Sequence, residues 1–170
     1  KKVYLCRDPR DVAISLAHFT RTPYMEEHYP VPYATAEAWL DHNLEQAMRD
    51  WAGHVGPYLL AREEHDIHWM FYEQMKEDIE GELDRLLDYL GTDLPAAERE
   101  DLIDATSFQR MKQAQPGHLR KGTGGQWRQV LDTAQQEKAV RVAGPMLEIL
   151  GYPCSPGEEG LPGLPPLEAR

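Results

Sequence analysis

The sequence predicts an α/β domain in which a parallel sheet is flanked by helices. Two short runs of apolar, β-prone residues support this prediction, one over residues 3–6 and the other over residues 67–72. Each run leads directly into a turn, and helical patterns lie between the two runs and after the second. Strands that alternate with helices in this way are typical of parallel sheets built from crossover units.

Helices are predicted where apolar residues recur at helical spacing between a capping residue and a glycine or proline. In the first helix Asp8 is the cap, Pro9 opens the first turn, and the end lies near Phe19. Gly53 stops the second, and the pair Gly56-Pro57 breaks the chain again. The predicted helices cover residues 9–19, 35–52, 78–90, 96–105, a segment with Thr106 as its cap, and 133–150 with Thr133 as its cap.

Two segments are predicted to have no regular structure. Residues 20–34 are rich in proline and aromatic residues and form a long loop. Residues 152–170 are rich in proline and glycine, so the chain divides into a domain of residues 1–151 and a tail. A parallel sheet is normally buried on both faces, which two short strands cannot achieve. We therefore expect an amino-terminal segment outside this sequence to complete the sheet.

Composition excludes several classes of protein. The formal net charge of -11 argues against a general nucleic-acid binder, which needs a broad basic surface. We expect no membrane span, because no apolar run approaches the roughly 18 residues that one needs. Cys6 and Cys154 are far apart and match no zinc-ligand spacing, so neither a disulfide framework nor a metal site is predicted. A reducing, cytoplasmic location fits this cysteine content best.

The first candidate anion site is the strand, turn and helix from Cys6 to Ser15. Ligands of open α/β sheets collect at the carboxyl ends of the strands, where helix amino termini add partial positive charge. Arg7 stands at such an end and either binds a phosphate or pairs with Asp8 or Asp11. Arg10 is predicted to be solvated.

The second candidate site is the glycine-rich loop, residues 119–127. Arg120 and Lys121 offer a fork of N–H donors and a point charge, and Gly122 allows the backbone to approach an anion closely. The spacing is not that of a phosphate-binding loop of the GxxxxGK[ST] type. The alternative is a flexible basic loop that binds nothing.

Four segments in this order resemble the cytosolic sulfotransferases along nearly the whole chain up to about residue 150. They are YLCRDPRDVAISLAHF, FYEQMKEDIEGELDRLLDYLG, TSFQRMK and RKGTGGQW. The resemblance implies a sulfotransferase fold similar to that of the P-loop NTPases and incomplete at the amino terminus. It also implies a cosubstrate, 3'-phosphoadenosine 5'-phosphosulfate (PAPS), whose product is 3'-phosphoadenosine 5'-phosphate (PAP), and no metal.

The resemblance assigns cosubstrate-binding roles to residues of both candidate sites and of the segments between them. Without it, Tyr72, Phe108 and Met111 are typical core residues. Aromatic rings and a thioether suit a purine face, which needs apolar and polarizable contacts. The residues that match contacts with the 3'-phosphate are Arg7, Ser15, Arg120, Lys121 and Gly122, and those that match contacts with adenine are Tyr72, Thr106, Phe108 and Met111.

The function implied is transfer of a sulfuryl group from PAPS to a hydroxyl or amine of a small-molecule acceptor. The family's phosphosulfate loop and catalytic histidine have no counterpart here, so no catalytic residue is assigned, and the missing segment or a complementary chain is the expected partner. An oligomer is possible. The alternatives are a non-catalytic binding or scaffold module derived from the same fold and another nucleotide-dependent enzyme, such as a kinase, because fold alone does not decide function.

Overall fold

The computed structural model of the chain describes residues 1–114 and 122–166. The described residues form two strands and nine helices, which confirms the predicted α/β class. The strands are β1 (Lys2–Cys6) and β2 (Ile67–Phe71). The helices are α1 (Pro9–Phe19), α2 (Pro23–His28), α3 (Ala36–Ala61), α4 (Tyr72–Glu77), α5 (Ile79–Leu90), α6 (Ala96–Ala105), α7 (Phe108–Ala114), α8 (Trp127–Val130) and α9 (Thr133–Ile149).

The two strands pair in parallel, with Lys2 opposite Ile67 and Cys6 opposite Phe71. Their connection passes through α1, α2 and α3, which is the long crossover that a parallel pair requires. Because the last residues of the strands are paired, the two segments that follow them leave the same edge of the sheet. This register determines which side chains can form a common site.

The faces of β1 differ in burial. Cys6 is buried in the core, whereas Val3 and Leu5 are 49% and 56% exposed. The prediction of a buried strand is therefore wrong for one face of β1. On that face α5 covers the neighbouring strand β2, since the Tyr89 ring of α5 stacks on the His68 ring of β2 with the centroids 5.0 Å apart. Helix α5 leaves the same face of β1 exposed.

The core lies between α3 and its neighbours, since α1 packs on α3 and α3 packs on α9. Each helix contributes small or branched apolar side chains from one face, as expected for helices that pack closely. The most deeply buried of these side chains are Ile14 and Ala17 of α1, Leu44 and Met48 of α3, and Ala139, Ala143 and Leu147 of α9.

Helix α3 runs past the predicted stop at Gly53 and continues through Gly56 and Pro57 to Ala61. Pro57 has no N–H to donate to the carbonyl of Gly53, one turn earlier. Both residues lie on the exposed face of the helix, so this carbonyl faces water. Val55, on the opposite face, is only 1% exposed, and its burial stabilises the continued helix. Despite its length, neither α3 nor any other described helix is apolar enough to cross a membrane.

Two other local predictions differ from the structure. The predicted loop over residues 20–34 contains α2, which the hydroxyl of Thr22 caps by accepting from the backbone N–H of Met25. The caps of two later helices lie one residue away from the predicted ones. Asp132, rather than Thr133, forms a capping box with Gln135, and Ser107, rather than Thr106, accepts from the N–H of Arg110. A carboxylate is the stronger acceptor, which explains the choice of Asp132.

The proline- and glycine-rich segment after α9 has no helix or strand in its described part, residues 152–166. It nevertheless packs against the domain. The Gly163 N–H donates to Leu150 O at 2.9 Å, and Gln74 Nε2 donates to Pro162 O at 2.7 Å. Pro162 is itself buried. The division into a domain of residues 1–151 and a tail stays a prediction, and the described part of that tail is attached to the fold.

Truncating Leu44, which is 0% exposed in the centre of α3, should lower the free energy of unfolding. We expect Leu44→Ala to cost about 3 kcal/mol, because the cavity cannot collapse between three packed helices. The matched control is Leu60→Ala on the same helix, where the side chain is 81% exposed and the loss should stay below about 0.5 kcal/mol. Urea denaturation of both variants measures this difference, and equal losses would contradict the packing described.

Candidate functional site

Arg7 and Tyr72 directly follow the paired strand ends and lie together at one edge of the sheet. The Arg7 guanidinium carbon is 4.1 Å from the centroid of the Tyr72 ring, a cation–π contact. Arg7 Nη2 donates to Thr123 O at 3.1 Å, and so the strand end meets the glycine-rich loop. Arg7 Nε is buried and has no hydrogen-bond partner among the described residues, which leaves one strong donor for a ligand.

Asp11 fastens the glycine-rich loop to α1. Its carboxylate accepts from the backbone N–H of Gly125 at 2.6 Å and from that of Trp127 at 2.9 Å. The residue is 1% exposed, and burial raises the pKa of its carboxyl above the ordinary value. The two N–H donors and the charge of Arg7 act in the opposite direction. One side chain therefore holds the two candidate anion sites together.

Arg10 is not solvated, as its sequence context suggested, but is 0% exposed. Its Nε and Nη2 atoms donate to the two carboxylate oxygens of Asp8 at 2.9 and 2.6 Å, and its guanidinium lies 3.6 Å from the centroid of the Trp127 ring. The prediction failed because Trp127, remote in sequence, covers Arg10 while Asp8 neutralises its charge. Asp8 is thereby paired with Arg10, and Arg7 keeps its stack on Tyr72.

Gly122 has a backbone that favours glycine and a neighbour that requires it. Its φ is +64°, and a Cβ atom built there would lie 2.2 Å from Cδ2 of Phe108. The Phe108 ring therefore packs directly on the backbone of the glycine-rich loop. Gly122 also precedes Thr123, whose carbonyl Arg7 contacts. Four of the predicted site residues thus form one continuous group: Arg7, Tyr72, Phe108 and Gly122.

The structure does not join the other predicted residues to this group in the same way. Ser15 is exposed one helical turn beyond Asp11, on the same face of α1. Thr106 is exposed and its hydroxyl donates to Leu102 O at 2.7 Å, while Met111 is 41% exposed on α7. Arg120 and Lys121 lie outside the described residues. Cosubstrate-binding roles for all of these residues stay predictions.

Two residues that sequence reasoning left without a role support Arg7 from behind. The Trp51 indole Nε1–H donates to the carbonyl of Arg7 at 3.1 Å, and the Glu73 carboxylate accepts from the N–H of Asp8 at 3.0 Å. Trp51 belongs to the apolar spacing of α3 and so resembled a core residue. Glu73 had one sequence signal, its place directly after Tyr72 at a strand end, where polar side chains face a site.

The family of the chain follows from comparisons with known proteins. The family model of the sulfotransferase domain matches residues 1–151. The chain belongs to the sulfotransferase family. The family predicted from the four sequence segments is thereby confirmed. Within the described residues, no group of three or more His, Cys, Asp or Glu side chains is arranged to hold a metal ion.

Relatives of this sulfotransferase chain extend well beyond the part that it matches. Sulfotransferase 1A1 of Bos taurus is 30% identical over 155 residues, which cover 81% of this chain and 51% of the relative. Sulfotransferase 1B1 of Canis lupus familiaris has the same identity and the same two coverages. The chain therefore spans about half the length of the curated relatives it matches.

Solved structures confirm the sulfotransferase fold. A retinol dehydratase in complex with androsterone and the inactive cofactor PAP superimposes with a TM-score of 0.70 at 24% identity, covering 87% of this chain and 47% of that one. Mouse sulfotransferase SULT7A1 complexed with PAP gives a TM-score of 0.70 at 22% identity, covering 85% of this chain and 57% of that one. At these identities the likeness concerns the fold alone.

Replacing Asp11 by Asn should loosen the glycine-rich loop. One acceptor oxygen becomes an NH2 group that faces a backbone N–H, so one of the two buried bonds is lost and a donor is left opposite a donor. We expect a loss of about 2 kcal/mol in the free energy of unfolding. The control, Asp50→Asn, changes an exposed carboxylate on α3 and should stay within about 0.5 kcal/mol. Indistinguishable unfolding curves for the two variants would show that Asp11 is not a clamp.

A methyl group at Gly122 should be unfavourable for two separate reasons, the left-handed backbone and the Phe108 ring. We expect Gly122→Ala to cost about 1–2 kcal/mol in the free energy of unfolding. The control is Gly53→Ala, which places a methyl group in open space on a helix and should stabilise the protein by about 0.5–1 kcal/mol. Guanidinium denaturation measures the change in the free energy of unfolding for both variants. A Gly122→Ala variant more stable than the unmodified protein would refute the described conformation of the loop.

Proposed function

We propose that the protein transfers a sulfuryl group from PAPS to a hydroxyl or amine of a small-molecule acceptor, and that this chain supplies the site for the 3'-phosphate and the adenine. The observation that carries the proposal is the buried Nε–H of Arg7 beside the glycine-rich loop, which has no partner among the described residues. A buried donor without a partner is costly, and a phosphate oxygen would satisfy it.

The charge of the molecule favours a local anion site. At a net charge of -11 this chain repels anions overall, so its affinity for a phosphate must come from individual cations and N–H groups. Arg7 is held by the Tyr72 ring and by Thr123 O, which reduces the entropy that it would lose on binding. In this proposal Arg120, Lys121 and Gly122 complete the phosphate site, and Ser15 contributes its hydroxyl from α1.

For the adenine, the proposal uses the apolar surfaces next to the phosphate site. Tyr72 lies against Arg7, and the Phe108 ring lies against Gly122, so aromatic area is present next to both residues. A purine face gains free energy from such contacts. Thr106, at the end of α6, and Met111, in α7, are the further adenine contacts that we propose.

Bound PAPS would bring the sulfuryl group on its 5'-phosphate, and the residues of this chain would hold the other end of the nucleotide. We assign no catalytic residue to this chain. The general base and the groups around the phosphosulfate are proposed to come from the remainder of the protein, which the length of the relatives suggests, or from a complementary chain. The free cysteines Cys6 and Cys154 support a proposed cytoplasmic, reducing location.

The test uses the complete protein and two ligands, PAP and adenosine 5'-monophosphate, which lacks the 3'-phosphate. Arg7→Ala should weaken PAP binding by about 1.5–3 kcal/mol, roughly ten- to a hundredfold, because a charge-assisted contact is lost. Binding of adenosine 5'-monophosphate should change little. Isothermal calorimetry measures both, with Arg49→Ala, an exposed arginine of α3, as the control.

Failure of the unmodified protein to bind PAP would refute the proposal. An equal effect of Arg7→Ala on both ligands would refute the assignment of Arg7 to the 3'-phosphate. PAP binding without any sulfuryl transfer in the complete protein would instead favour a non-catalytic nucleotide-binding module.

A further inference from the structure

Tyr152 lies just beyond the part of the chain that matches the family model, which ends at residue 151. Its side chain returns to the core and is only 4% exposed. Two backbone bonds fix the chain here, because the Tyr152 N–H donates to Leu147 O at 2.8 Å and the Gly163 N–H donates to Leu150 O at 2.9 Å. Tyr152 is therefore held rigidly at the end of α9.

The hydroxyl of Tyr152 reaches the carboxylate that supports the candidate site. It donates to Glu73 Oε2 at 3.2 Å, and Glu73 Oε1 accepts from the N–H of Asp8 at 3.0 Å. Burial raises the pKa of Glu73, and the bonds from Asp8 and Tyr152 oppose the rise. The hydroxyl thus fixes the orientation of a carboxylate whose other oxygen holds the residue directly after Arg7.

The ring of Tyr152 reaches the same peptide by a second route. It meets the Trp51 ring edge-on, with centroids 6.3 Å apart and an angle of 73° between the planes. The Trp51 indole N–H in turn donates to Arg7 O at 3.1 Å. Both routes end at the peptide group that joins Arg7 to Asp8, one at its carbonyl and one at its N–H.

We propose that Tyr152 is a positioning residue for Arg7: through Glu73 and Trp51 it holds the Arg7–Asp8 peptide, and with it the guanidinium, in place for the 3'-phosphate. The inference rests on the proposed function and deepens it. It adds to the phosphate site a residue that touches no ligand and lies outside the matched family region. A hydroxyl that served stability alone would have no selective effect on the 3'-phosphate.

The test replaces Tyr152 by Phe, which removes the hydroxyl and keeps the ring. In the complete protein we expect the dissociation constant for PAP to rise about fivefold, a part of the value of one hydrogen bond to a charged group. The constant for adenosine 5'-monophosphate should stay unchanged. In the Arg7→Ala background Tyr152→Phe should have no further effect on PAP, because the group that it positions is absent.

The matched control is Tyr89→Phe. The hydroxyl of Tyr89 donates to Asp66 O at 2.7 Å, near the opposite end of the same sheet. This substitution should leave PAP binding unchanged. Trp51→Phe removes the other support of the same peptide and should repeat the pattern of Tyr152→Phe, which keeps the test available if Tyr152→Phe does not fold. Thermal unfolding of each variant shows which ones are folded.

The outcomes separate this inference from the proposed function. If the unmodified protein does not bind PAP, both fail. If it binds PAP, three results would refute the positioning role alone. They are equal PAP affinity of Tyr152→Phe and the unmodified protein, an equal loss of affinity for both ligands, and a loss of PAP affinity that is as large in the Arg7→Ala background. Selective loss of PAP affinity that disappears in that background supports it.

Discussion

The carboxylate of Asp11 is the interaction on which the candidate site depends. It accepts from two backbone N–H groups that are 114 and 116 residues away in sequence, and in doing so it joins the start of α1 to the glycine-rich loop. Burying a carboxylate is unfavourable unless its oxygens are hydrogen-bonded, and here both oxygens are. Together with the bond from Arg7 Nη2 to Thr123 O, this clamp brings Arg7 at the end of β1 and Gly122 in the loop to the same space.

The site consists of an unpaired donor on Arg7 and a layer of supporting groups behind it. Arg7 has one buried donor without a partner among the described residues, and the groups behind it bond to one another, although Arg10 Nη1 is likewise buried and without a partner among those residues. Asp8 pairs with Arg10, Glu73 accepts from the Asp8 N–H, and Trp51 donates to the carbonyl of Arg7. This division is what a binding site requires, because supporting groups that are already paired do not compete for the ligand.

Local signals predicted much of this arrangement and long-range contacts decided the rest. Helices α1 and α5 agree closely with the sequence predictions, because Asp8, Asp78 and Gly91 mark their ends. The strands and α6 agree with the predictions to within one residue. The continuation of α3 beyond Gly53 depends on burial of Val55. The burial of Arg10 likewise depends on Trp127, which no local pattern connects to it. The clamp of Asp11 was missed for the same reason, although a lone acidic residue within an apolar helix was a usable signal.

The most direct test of this account is a crystal structure of the complete protein with PAP. The account predicts that oxygens of the 3'-phosphate lie within about 3 Å of the Arg7 guanidinium and of donors in the segment from Arg120 to Gly122. It also predicts that the Asp11 bonds to Gly125 and Trp127 are retained in the complex. A 3'-phosphate bound away from Arg7, or one that contacts Arg7 while the glycine-rich loop lies elsewhere, would contradict the account.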